Sequence, residues 1–153
     1  MASAIFLPRG SLFLPKKLDM AEIINQIPGF ESGRVYSVCA ADAEGALFLS
    51  AQMVSDLLNK WNTNVAFFSL TSRADTLEGM VQNESRITRL YTVDQKNPEL
   101  RVIINKAQGM VNRKFVRAVI IEGLQHPDQI PQRGLEKFAI SAKVPVILVG
   151  TNT

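Results

Sequence analysis

Three apolar runs of strand length, Val65 to Leu70 (VAFFSL), Val116 to Ile121 (VRAVII) and Val144 to Val149 (VPVILV), constrain the fold most severely. A strand with one wet face alternates polar and apolar residues, whereas near-continuous runs belong to strands covered on both faces. Helical patterns separate them. Leu47, Ala51, Val54, Leu58 and Trp61 recur at steps of four and three, which predicts a helix from about Glu44 to Asn62 with Trp61 on its core face. Ser72 is placed to cap a second helix running to about Asn83, with Asp75 three residues on. Asn97-Pro98-Glu99 supplies a cap, a proline at the first helical position and an acid for a third helix, continued by Leu100, Ile104, Ala107 and Val111. Pro131 to Lys143 completes the set, while Arg34 to Ala40 and Tyr91 to Val93 are expected as further strands. Strands alternating with helices imply βαβ units, hence a mainly parallel sheet with helices on both faces. The expected fold class is α/β, a three-layer sandwich, with residues 18–153 as one domain and no internal linker.

Composition agrees. A chain of 153 residues that is 46% hydrophobic and 20% charged is globular, not disordered, and has room for one domain of ordinary size. The formal charge of +3, from 17 basic and 14 acidic residues, permits contact with nucleic acid without demanding it. One cysteine, Cys39, excludes an intramolecular disulfide framework and a cysteine zinc cluster, and is expected as a small core residue. The lone histidine, His126, is expected in a solvated loop and makes a histidine metal site or a Ser-His-Asp triad hard to build. No apolar run reaches the ~18 residues a membrane span needs. The amino-terminal segment is a poor secretory signal, so the expected location is cytoplasmic. That segment, residues 1–17, repeats a phrase: Ile5-Phe6-Leu7-Pro8-Arg9 returns as Leu12-Phe13-Leu14-Pro15-Lys16. Proline keeps each copy extended and out of a central strand. Two readings stand open: an arm folded as an edge strand on its own domain, or an arm that docks through Phe6, Leu7, Phe13 and Leu14 on a neighbouring subunit. Asp19 to Ile27 is expected to be a short helix, with Asp19 as its cap.

Beyond the elements, four phrases at compatible spacing resemble the RecA-like motor domain of the DnaB-type replicative helicases over roughly residues 28–153. Pro28-Gly29-Phe30-Glu31-Ser32-Gly33-Arg34 is similar to that family's Gly-rich turn into the phosphate-loop strand. Val65 to Leu70 resembles its second strand, Val119 to Gln125 its Walker B strand, and Val144 to Ile147 the strand that follows. The resemblance implies a RecA-like (P-loop NTPase-like) sandwich that forms oligomers.

The resemblance also shows what has been replaced. A phosphate loop needs glycines for backbone wrapping, a lysine for the β/γ charge and a hydroxyl for magnesium. The matching stretch here is Ala40-Ala41-Asp42-Ala43-Glu44-Gly45-Ala46-Leu47, in which Gly45 is the one glycine left, Ala46 stands for the lysine and Leu47 for the Ser/Thr. Asp42 and Glu44 bring negative charge to a place that would receive a polyphosphate. Two unit charges at ~4 Å interact by about 4 kcal/mol at an effective dielectric of 20, worth several powers of ten in affinity. Thr71 occupies the position of the catalytic glutamate, and Glu122 that of the Walker B aspartate, where an ordinary strand-end acid is expected. The expected function is therefore that of a non-catalytic relative, a pseudo-ATPase without cofactor or metal, acting through protein contacts with itself or with another RecA-like subunit. The alternatives are a shortened helicase-like ATPase and a DNA-binding accessory factor. Arg113, Lys114 and Arg117 are candidate contacts for nucleic acid or a partner, with Arg86 and Arg89 a second basic patch. Basic residues at a helix end also complement its dipole, and aromatics are not interleaved among the cations as a stacking platform would want.

Overall fold

The computed structural model describes residues 4–6, 30–131 and 133–152. In chain order the elements are β1 (Ala4–Phe6), β2 (Val35–Ala40), α1 (Ala43–Asn59), β3 (Val65–Ser69), α2 (Ala74–Val81), β4 (Leu90–Asp94), α3 (Leu100–Lys114), β5 (Ala118–Gln125), α4 (Arg133–Ala142) and β6 (Val146–Thr151), with 3-10 turns at Ile87–Arg89 and Pro127–Gln129. The sheet runs β1-β2-β6-β5-β3-β4. Strands β2 to β6 are mutually parallel, and β1 pairs antiparallel with β2 at the edge. Leu7, Phe13, Leu14 and the expected helix at residues 19–27 lie outside the described residues.

Side-chain alternation on these strands builds two cores. Tyr36, Val38, Val65, Phe67, Ile120 and Ile147 face α1 and α2, where they meet Leu47, Val54, Leu58 and Leu77. Val35, Ala66, Phe68, Val119, Ile121 and Leu148 face α3 and α4, against Ile103, Ala107, Leu135 and Phe138. Because both faces are covered, every residue of β2 and β3 is buried, which is why β3 reads as a near-continuous apolar run. The architecture is the three-layer α/β sandwich the sequence leads one to expect.

Four local expectations are corrected. Trp61 is 55% exposed instead of core-facing. Helix α1 ends at Asn59, the amides of Lys60 and Trp61 both donate to the carbonyl of Asp56, and Asn62 turns left-handed at φ 51, so the chain leaves the helix before Trp61 can share its apolar face. Ser72 caps nothing: it sits at φ 58 and α2 starts two residues later. The first amide of α2, at Ala74, donates instead to the Asp94 carboxylate of β4 at 3.0 Å. Pro98 stands outside α3, because Asn97 accepts from the Glu99 amide in a local turn and the helix begins at Leu100. Strand β5 continues four residues past Ile121, through a register shift between Glu122 and Leu124. There Gly150 approaches so closely that a Cβ would lie 1.8 Å from the Leu124 carbonyl oxygen, which leaves room for glycine alone.

Candidate functional site at the carboxyl ends of the strands

In open parallel sheets, ligands bind beyond the carboxyl ends of the strands. Here that edge is formed by the β2–α1 turn, the Leu70–Arg73 segment after β3 and the end of β5. The β2–α1 connection is short: β2 ends at Ala40 and α1 begins at Ala43, so Ala41 and Asp42 alone lie between them. Asp42 is the N-cap, with extended backbone at φ −148, and its Oδ1 accepts from the Gly45 amide at 2.7 Å. A free helix N-terminus is an anion site by virtue of its unpartnered amides and its dipole. In this helix one of those amides is already taken by the chain's own carboxylate. Ala43 and Glu44, mid-loop in the phosphate-loop reading, are helical here. Ala46 and Leu47 point into the core at 2% and 1% exposure, so neither side chain reaches the turn.

Glu44, 82% exposed, meets Arg73 at 2.8 Å in an ion pair. A pair this exposed on one side contributes on the order of 0–1 kcal/mol. It nevertheless holds the only guanidinium that pairs with a carboxylate of this turn among the described residues.

Glu122 lies just below. It is 1% exposed, opposite Ser69 in the β3–β5 register. The Ser69 hydroxyl donates to its Oε1 at 2.7 Å, and the Thr71 hydroxyl lies 3.0 Å from both carboxylate oxygens. Ser69 Oγ in turn accepts from the Arg73 amide at 2.9 Å, and the Leu70 amide donates to the Glu122 backbone carbonyl. The residues matched to the Walker B acid and the catalytic glutamate, Glu122 and Thr71, are thus in contact, but as partners of each other. A buried carboxylate tolerates its position only when its lone pairs are satisfied. Here hydroxyls do so, and among the described residues no buried side-chain polar atom lacks a partner. No group of three or more His, Cys, Asp or Glu able to hold a metal occurs among the described residues. Gly123 follows at φ 99, where a Cβ would come within 2.7 Å of the Thr71 methyl, so the network also depends on glycine. Sequence reasoning misses Ser69 and Arg73. Ser69 looks like one more small residue of an apolar run, and its pairing with Glu122 is a matter of register, which no local pattern reports.

Cys39, on the opposite face of β2, is buried as expected, with Sγ 3.4 Å from Asn152 Oδ1 and 3.6 Å from Asp128 Oδ1. Burial, reinforced by the Asp128 carboxylate, pushes its thiol up to about 11. His126 sits in the β5–turn loop at φ 48, its amide donating to the Thr151 carbonyl.

The basic candidates lie elsewhere, at the amino ends of the strands. Arg113 and Lys114 line a groove of about 370 Å³ with Val93, Lys106, Gly109 and Met110. Aromatics do accompany the cations, contrary to expectation: Lys114 Nζ is 5.9 Å from the Tyr91 ring centroid, and the Arg117 guanidinium is 6.0 Å from that of Phe115. Tyr91 is remote in sequence and comes to Lys114 only through the β4–α3 connection.

No family model matches the chain, and no curated protein sequence does. Solved structures do. The RadB recombinase superposes with a TM-score of 0.53 at 13% identity, over 80% of this chain. A KaiC-like protein from the hyperthermophilic archaeon Pyrococcus horikoshii superposes with a TM-score of 0.53 at 16% identity, over 78% of this chain. The chain spans 63% of the length of each. At such identities the likeness is one of fold, and that fold is a RecA-like α/β sandwich.

Proposed function

We propose that this chain is a non-catalytic RecA-like protein, a pseudo-ATPase of DnaB-type descent that acts through contact with other protein subunits, either copies of itself or a working RecA-like motor. The observation that carries this reading is the Asp42 side chain on the Gly45 amide, at the helix end where a phosphate would have to sit. Loss of the lysine and hydroxyl positions to Ala46 and Leu47, both buried, points the same way. So does the closed Ser69–Thr71–Glu122 network, which orders the β3–α2 turn without leaving a carboxylate directed at solvent. Phe48 of α1 and Met80 of α2, 40% and 43% exposed on one helical layer, offer apolar surface to a partner. Within the arm of residues 1–17, β1 pairs with the chain's own β2, and Leu7, Phe13 and Leu14 are proposed to serve the same contacts.

Isothermal titration with Mg-ATP tests the reading. The expected result is no saturable heat up to millimolar nucleotide. Micromolar binding, or hydrolysis abolished by Glu122→Gln, overturns it.

A further inference from the structure

Helix α3 carries a glycine in its interior, where alanine would be the better helix former. The space of the missing side chain at Gly109 is taken by the Arg113 guanidinium. Its Nη2 lies 2.8 Å, and its Cζ 3.7 Å, from the point where a Cβ would stand. Glycine thus lets an arginine four residues on fold back along the helix. Lys106, Gly109, Met110, Arg113 and Lys114 follow one another at steps of three, one, three and one, so they form a single stripe of α3. Together with Val93 of β4 they line the groove of about 370 Å³.

That groove follows the edge of the sheet, because β4 is its last strand. Lys114 stands at one end, over Tyr91 near the start of β4. Lys106 stands at the other, its Nζ donating to Gln95 Oε1 at 3.0 Å just past the end of β4. Helix α3 rises roughly 12 Å between the two at 1.5 Å per residue. The floor is apolar: Val93 and Met110 pack on the core beneath α3 and are only partly covered. The cations differ in how they are held. Lys114 rests over a ring and Lys106 on a neutral amide, whereas the Arg113 guanidinium makes no ion pair or hydrogen bond among the described residues. No carboxylate lines the groove among the described residues.

We infer that this groove binds a small aliphatic carboxylate, its head on the Arg113 guanidinium and its chain laid along Met110, Gly109 and Val93 toward Lys106. A guanidinium presents paired N–H donors in a fork that matches a carboxylate, and this one has no acid of its own. The volume is that of a small-molecule site, and such sites are mostly apolar with a few polar groups that fix orientation. A nucleotide would bring more negative charge than one uncommitted cation answers, and an acidic peptide would use the cation while leaving the floor wet. The inference stands apart from the proposed function: α3 packs on the face of the sheet opposite α1 and α2, whose layer carries the Asp42 cap, Phe48 and Met80.

The test titrates the full chain with decanoate, kept below the concentration at which it forms micelles, and follows heat and the amide NMR spectrum. The expected result is saturable binding that moves the Gly109 and Met110 amides and is about tenfold tighter than that of decanol, which has the chain without the charge. Octanoate should bind roughly fifteenfold more weakly than decanoate, as each methylene withdrawn from the groove is worth about fourfold. Arg113→Met should weaken decanoate binding about tenfold and erase its advantage over decanol. Gly109→Ala should weaken it too, because the new methyl displaces the guanidinium, while the denaturant midpoint holds or rises. Loss of binding in that variant is therefore not loss of fold. Decanol binding as tightly as decanoate, affinity unchanged in both variants, or amide shifts confined to residues outside the groove overturns the inference. Absence of saturable heat overturns it as well, and is the result expected where a second copy of the chain fills the groove. Displacement of decanoate by polyglutamate at equal carboxylate concentration overturns it in favour of an acidic protein.

Discussion

Glu122 shows how little a residue's identity says without its register. An acid at the end of an apolar strand is visible in the sequence, and so is its match to a Walker B position, but its partners Ser69 and Thr71 are 53 and 51 residues away. Cys39 was more legible, because a lone thiol inside a β-rich run has few alternatives to burial. Its surroundings give a pH prediction. The thiol stands at about 11 in the folded protein against 9.0 for a solvated thiol, so its protonated form is favoured by folding. That stabilisation is complete below pH 9.0 and is lost as pH rises through about 11. Denaturant midpoints measured across this interval should fall more for the natural chain than for Cys39→Ala.

At the scale of elements, hydrophobic periodicity located α1, α3 and the buried strands, and failed at their ends. Trp61 continued the apolar spacing of α1 although the helix had stopped at Asn59, since periodicity does not register where backbone hydrogen bonds run out. Pro98 and Ser72 fit start signals, yet a turn around Asn97 and a carboxylate from β4 serve in their place. The start of α1 gives the clearest prediction of this kind. Asp42→Ala removes the side chain that accepts from the Gly45 amide and should cost about 1 kcal/mol, read as a lower denaturant midpoint, whereas Asp42→Asn should retain most of it.

Across the whole molecule, a parallel sheet covered on both faces makes two chemically distinct ends from one scaffold. The parallel sheet and the three layers followed from alternating strands and helices, whereas the strand order, and with it the meeting of Arg86 and Arg89 with Lys114 and Arg117 at one end, required the sheet to bring three loops side by side. Groups separated by the length of a strand should behave additively. Ser69→Ala strips Glu122 and the Arg73 amide of a partner and should cost about 1–3 kcal/mol of stability, measured by chemical unfolding.

The brevity of the Ala41–Asp42 link has an engineering consequence. Lys at 46 and Thr at 47 would not create a phosphate loop, because both positions belong to the buried face of α1. An ammonium forced in at Ala46 would be a desolvated charge before it could be a ligand. A phosphate cradle at this turn would require insertion of backbone rather than exchange of side chains.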